Sequence, residues 1–391
     1  MLGKAENPLS PFCVSIRNRK CIFVIPQFMS EQSRNIIIAA IHQLPVITFS
    51  VMTKLVQGRW FDKPLSSWST KELIAVGIDP DRATKIIAEL PLLTIEKTKQ
   101  QLEELGVTIL TLPDTAYPLP LREIPSPPPV LYIRGSIDVL RKTSLAVVGT
   151  RKPSDYGLSV TKTMLPPIIR AGVSIVSGLA LGIDGLAHRL AVDMGGSTVA
   201  VLGCGIDTIY PWDHRQLTSD IIESGGAVIS EFPLGSEPER HHFPQRNRII
   251  AGLSKAILLI EAGEKSGALI TAKFAVDQNR DVLSIPGNIT SPQSIGPNSW
   301  LKLGATPITT PKDILRVFNV TVDASDLVKT VYHPQSPEEA SLIECLRQKS
   351  LDIDELAEKS RLDSSVVSAT LSLLEINGVV HHHGGLVYSL A

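Results

Sequence analysis

The stretch LAVVGTRKPSDYG, residues 145–157, decides how this 391-residue chain is read. Residues 145–148 are apolar, and Gly149 follows them directly. A short apolar run stopped by glycine and followed by a helical pattern predicts the first buried strand of a parallel α/β sheet. In an open sheet of that kind, ligands sit beyond the carboxyl ends of the strands, where glycine lets backbone approach closely. Arg151 and Lys152 occupy that position here. A glycine turn beside fixed cations points to phosphate or another anion.

Downstream, strands alternate with helices as far as residue 317. The expected strands are 145–148, 173–177, 197–202, 227–230, 256–260 and 282–285, with helices at 157–170, 182–193, 215–223, 245–253 and 268–278. This alternation predicts a doubly wound, mainly parallel sheet. Upstream, residues 29–110 carry helical apolar spacing (Ile36, Ile37, Ala40, Ile41 and Leu44 on one face) and read as a compact helix-hairpin-like, or SAM-like, module. Residues 113–129 hold seven prolines and are expected to form a stiff, extended lead-in to the α/β domain, which spans 111–317. The first 28 residues look unlike the rest, and Met29 is the expected start, which mass spectrometry of the native N-terminus would test.

After a linker at 318–335, Ser336-Pro337-Glu338-Glu339 forms a capping box. Helical stretches at 338–348, 353–359 and 364–376, then strands at 379–381 and 386–389, give a winged-helix pattern over 336–391. Its third helix contains no lysine or arginine. Phosphate contacts supply most duplex affinity, so this unit is expected to serve protein contact or scaffolding. His381–His383 read as a solvated turn, not a metal site.

Composition sets bounds on function. With 38 basic and 39 acidic residues the net charge is −1, so any basic site must be local. The four cysteines (Cys13, Cys21, Cys204, Cys345) show no paired spacing, which fits a reducing cytoplasm. No apolar run reaches the roughly 18 residues that a membrane span needs. A GxxxxGK[ST] phosphate loop, a GxGxxG after the first strand, a GxSxG elbow and an HExxH pair are all missing. No cofactor, metal or catalytic residue is expected.

Six strand ends on one edge carry glycine or polar residues: Gly149-Thr150-Arg151, Ser177-Gly178, Gly203 with Gly205, Glu231, Glu261 with Ser266-Gly267, and Pro286-Gly287-Asn288. One such end is ordinary; six make a site. Arg246 and Arg248 lie near a helix start marked by Pro244, where the dipole favours anions. With Arg151 they form a positive pocket that Lys273 extends. The bland alternative has these arginines paired with Asp184, Glu231 or Glu261 to hold loops together.

GTR (149–151), SGLALGIDGLAH (177–188), FPQRNRII (243–250), SGALITAKFA (266–275) and IPGN (285–288) together resemble the DNA-processing protein DprA family, also called Smf. The resemblance covers residues 30–317, and the terminal winged helix fits as well. It implies an extended Rossmann-like core that binds single-stranded DNA without enzymatic turnover. It also implies a homodimer, and loading of RecA onto incoming strands in natural transformation, with single-strand-binding protein displaced or bypassed. Anion-pocket positions of the family carry over to Gly149, Arg151, Ser177, Gly178, Arg246, Asn247, Arg248, Ser266, Gly267 and Lys273.

A rival reading is a Rossmann-like nucleotide hydrolase of the phosphoribohydrolase type, acting on nucleoside monophosphates through Glu261. Its PGGxGT stretch is absent; Glu261-Ala262-Gly263 stands in its place. Release of free base would mark that activity. A third reading is a winged-helix adaptor with an inert α/β core, marked by no single-strand binding at low salt.

Overall fold

The computed structural model describes residues 31–320, 334, 336–347, 349–376, 379–382 and 385–390. The extension before Met29 and most of the expected linker, residues 321–333 and 335, lie outside them. The chain divides into two compact units, Met1–Thr321 and Val322–Ala391.

The larger unit is built on strands β1 (Val107–Thr111), β2 (Val130–Gly135), β3 (Ser144–Val148), β4 (Ser174–Ser177), β5 (Thr198–Val201), β6 (Ala227–Ser230), β7 (Ala256–Leu259), β8 (Asp281–Ser284) and β9 (Thr306–Pro307). They form one sheet in the order β1-β2-β6-β5-β4-β3-β7-β8-β9. From β3 the chain steps outward through β4, β5 and β6, then returns to β3 on its other side for β7 and β8. Leu145 therefore pairs in parallel with Ile175 of β4 and with Ala256 of β7. The direction of winding reverses between β3 and β7, which opens a crevice at their carboxyl ends. Every residue of β3 to β7 is buried, which is why these strands read as continuous apolar runs.

The far side of the sheet departs from the parallel rule. β2 runs antiparallel to both β1 and β6. Residues 107–110, expected within the helical module, instead form most of edge strand β1. The proline-rich lead-in also departs from expectation. It folds back on itself: Leu119–Arg122 is a one-turn helix with proline in its first turn. The Tyr117 hydroxyl donates to Pro128 O (2.8 Å) and Arg122 donates to Asp114 O (2.6 Å). Helices Ile295–Lys302 and Pro311–Val317 were not foreseen.

The N-terminal helices, Glu31–His42 through Ile95–Leu105, share one core with the sheet. Ile38, Ile41, Met52, Leu55 and Leu73 pack in a cluster that includes Tyr132 of β2, Ala200 of β5 and Val228 of β6. Within it, His42 Nδ1 meets the Tyr132 hydroxyl at 2.9 Å.

The smaller unit has helices Pro337–Leu346, Ile353–Ser360 and Ser364–Ile376. A three-stranded sheet accompanies them, with strands β10 (Leu351–Asp352), β11 (Val380–His382) and β12 (Val387–Leu390) in the order β10-β12-β11. The Ser336 side chain accepts from the Glu339 amide and starts the first helix. Leu342, Leu356, Val367, Leu371 and Leu374 fill its core. The two-residue strand β10 was too short to find by alternation.

Candidate nucleic-acid interface

Loops after β3, β4, β5 and β6 meet on one rim. Gly149 ends β3 against Ile183, where a Cβ would lie 2.6 Å from the isoleucine side chain. Ser177 ends β4, and its hydroxyl donates to Val147 O (2.6 Å), tying β4 to β3. That bond turns the Ser177 hydroxyl toward the sheet, and Gly178 follows it on the rim. Gly178 donates its amide to Asp184 Oδ2 (3.1 Å), and its carbonyl accepts from Arg246 Nη2 (2.8 Å). A Cβ at Gly178 would sit 1.6 Å from Arg246 Nη1, so only glycine fits under that guanidinium.

Arg246 lies on the helix His242–Leu253 and is 5% exposed. Burial pulls its guanidinium down to about 10; Asp184 opposes that shift and Arg151 adds to it. Burial also raises the Asp184 carboxyl, while Arg246 and the Gly178 amide hold it down. The Arg246 Nε is buried without a hydrogen-bond partner. A buried cation with an unused donor, on a glycine turn, is suited to an anion.

Phe243 stands one helical turn before Arg246 and so shares its face. Its ring lies on Gly203, where a Cβ would approach it to 3.0 Å. The exposed Arg151 places its guanidinium 5.7 Å from the Phe243 ring, and Tyr210 stacks at a tilt 5.6 Å away. Lys152 is exposed beside Arg151. The rim thus combines cations with π-faces, the pairing that holds single strands by phosphate and by base together. Sequence reasoning missed Phe243 and Tyr210; the spacing of Phe243 and Arg246 was the available signal.

Other expected residues fall differently. Arg248 does not reach the rim. Two positions beyond Arg246 on a helix it points elsewhere, and it is buried in a bidentate pair with Glu231 (2.9 Å for the Nη1–Oε1 arm), with Phe49 5.4 Å from its guanidinium. The bland alternative holds for this residue. Burial raises the Glu231 carboxyl and the Arg248 charge opposes that rise. Asn247 donates to Gly267 O (3.2 Å), joining its helix to the start of Gly267–Asp277. Ser266 caps that start by accepting from the Ala268 amide (3.3 Å). Lys273 is exposed further along the same helix.

Glu261, the carboxylate that the hydrolase reading needs, is 1% exposed. It accepts from the Ser154 amide (2.9 Å) and hydroxyl, and so fixes the start of the helix Asp155–Arg170. A cleft of about 410 Å³ borders it, lined by Tyr156, Pro286, Asn288 and serines. Among the described residues, no lysine, arginine or histidine lines that cleft. His188 is fully buried against Thr198 Oγ1 (2.7 Å), and burial takes it down to about 3, so it stays neutral. Among the described residues, Glu239, His241 and His242 bring ligand atoms within 4.8 Å of one another, but Glu239 and His241 are exposed and already paired at 3.3 Å.

Comparison with known proteins follows the same lines. The family model for DNA recombination-mediator protein A matches residues 108–319, and that for the DprA winged helix domain matches 330–385. Protein Smf of Escherichia coli is 40% identical over 234 residues, 60% of this chain and 63% of that protein. The DNA processing protein DprA of Bacillus subtilis is 39% identical over 212 residues, 54% of this chain and 71% of its own length. The match thus spans somewhat under two thirds of the Escherichia coli relative. The X-ray structure of DNA processing protein A from Streptococcus pneumoniae superposes with a TM-score of 0.63 at 31% identity, covering 74% of this chain and 98% of that one. DNA processing protein A from Helicobacter pylori, described structurally for its single-stranded DNA binding mode, gives 0.50 at 27% identity over 55% of this chain and 95% of that one. With more than half of its length matched by the core model and the winged helix matched beyond it, this chain belongs to the DNA recombination-mediator protein A (DprA/Smf) family.

Proposed function

We propose that this protein holds single-stranded DNA along the carboxyl rim of its sheet and acts as a recombination mediator, without turnover of the strand. The observation that carries this reading is the Arg151–Phe243–Arg246 arrangement, an exposed cation over an aromatic ring with a buried cation on the Gly178 turn behind it. Phosphates meet the guanidinium groups and bases meet the rings, so sequence preference is weak. Gly149, Arg151, Gly178 and Arg246 form the grip; Ser177, Asn247, Ser266 and Gly267 shape the loops behind it, and Lys273 adds charge at a distance. The single-strand binding described for the Helicobacter pylori relative supports the same ligand. In this reading a cytoplasmic homodimer receives incoming strands, displaces or bypasses single-strand-binding protein, and passes them to RecA. Glu261 is taken up by Ser154, and the cleft it lines offers no cation among its lining residues to hold a phosphate, which favours binding over nucleotide hydrolysis.

Fluorescence anisotropy with matched single-stranded and duplex oligonucleotides across salt concentrations tests the binding. Tighter binding of single strands is expected. Equal affinity for both, or none for either at low salt, overturns the reading.

A further inference from the structure

Four tryptophans are present, and they are not used alike. Trp60 and Trp68 are buried at 3% and 6% exposure and pack edge to face in the N-terminal core. Trp212 is 62% exposed. Most of it is left to solvent, although burying such a ring is among the most favourable things a chain can do with it. The Arg215 guanidinium lies 3.4 Å from its ring centroid. One face is thus covered by a cation, and most of the residue stays open to solvent.

Its position is as specific as its exposure. The short turn Trp212–His214 is held to the β4 loop by His214, whose Nδ1 lies 2.8 Å from Leu179 O. Leu179 is the neighbour of Gly178, on which Arg246 rests. Tyr210, two residues before Trp212, stacks against Phe243. A ring-bearing segment therefore leads from the Phe243 platform outward along the rim and ends on an indole backed by a guanidinium.

We infer that Trp212 and Arg215 form a second base-stacking subsite, taking a nucleobase of a bound single strand beyond the one at Phe243. The inference rests on the reading of this rim as a single-strand site. Every base has a π-face, so the subsite is tolerant of sequence, and Arg215 offers its charge to the adjoining phosphate. Strands long enough to reach from Phe243 to Trp212 gain from both platforms, whereas shorter ones gain from one.

Intrinsic tryptophan emission of the full chain, titrated with oligothymidine alongside anisotropy of a labelled strand, tests this. Binding is expected to quench emission, and Trp212→Phe to remove most of the quench while the buried indoles keep emitting. Trp212→Ala is expected to weaken long strands about tenfold at an unchanged melting temperature, and to leave strands too short to span both platforms unaffected. Binding by anisotropy with no quench, and with wild-type affinity in Trp212→Ala, overturns the subsite and leaves the rim reading standing. No binding by either signal overturns both.

Discussion

Arg246 and Asp184 hold the two backbone polar groups of one residue: Gly178 gives its amide to the aspartate and receives the arginine on its carbonyl. The two charged side chains also offset each other's burial, so the arginine is part of the fold as well as part of the rim. Replacing Arg246 with alanine leaves a buried carboxylate without its counter-charge. A loss of about 3 kcal/mol in stability is expected together with the loss of single-strand binding. Arg151 is exposed, and Arg151→Ala is expected to weaken binding while stability moves by less than about 0.5 kcal/mol. Denaturant melts beside anisotropy separate the two cases.

Gly178→Ala isolates the placement of the guanidinium from its presence. The new methyl would occupy the position of Arg246 Nη1, so the side chain must swing off the turn. One charge-assisted contact is worth about 2 kcal/mol, so affinity for single strands is expected to fall roughly thirtyfold in a protein that still folds. Wild-type affinity in this variant would mean that Arg246 has no fixed place in binding.

The Arg248–Glu231 pair predicts the reverse pattern. Both partners are buried, and Arg248→Ala strands a carboxylate in the core at a cost of about 3–5 kcal/mol. Arg248→Met combined with Glu231→Leu removes both charges and is expected to recover most of that stability. Single-strand affinity per folded molecule should match wild type in the double variant, measured by anisotropy after a folding check by circular dichroism.

Acid should loosen the larger unit through two histidines. Burial holds His42 at about 4 and His188 at about 3, both below the usual 6.5, so each is neutral when folded and takes up a proton on unfolding in mild acid. Their contribution is fully present above pH 6.5 and is lost as pH falls toward about 4 for His42 and about 3 for His188. At pH 5 each is expected to have cost about 2 kcal/mol relative to pH 8. Urea melts across that range check the slope, and His42→Gln should flatten it.

The salt dependence of binding follows from the cations that reach the rim. With Arg248 withdrawn, Arg151, Lys152 and Arg246 remain, joined by Arg215 on strands that reach Trp212, and three or four phosphate contacts on a single strand give a log–log slope of about −2 to −3. A slope steeper than about −4 would require cations from outside this rim.

Much of the sheet was legible because fully buried parallel strands are apolar runs punctuated by glycine. β3 to β8 appear in the sequence within a residue or two of their ends. β1 was not legible. Its VTILT lies next to helical spacing, and a short apolar run cannot be assigned to strand or helix by period alone. Its pairing partner β2 begins 19 residues after β1 ends, beyond a proline segment that turns back on itself. At the rim, Arg151 and Arg246 were readable as loop and helix-start cations. Arg248 was not, because two steps along a helix turn a side chain to another face, and its partner Glu231 comes from a different strand end.

Because Ile38, Met52 and Leu73 pack in the same cluster as Tyr132 and Val228, the first seventy-odd described residues are the lid on one sheet face, not an appendage. A shortened chain beginning at β2 would carry that face bare, and greasy surface of such extent drives self-association. Any attempt to produce the rim alone should therefore retain these helices. The natural cut lies after the α/β unit, where the second compact unit begins.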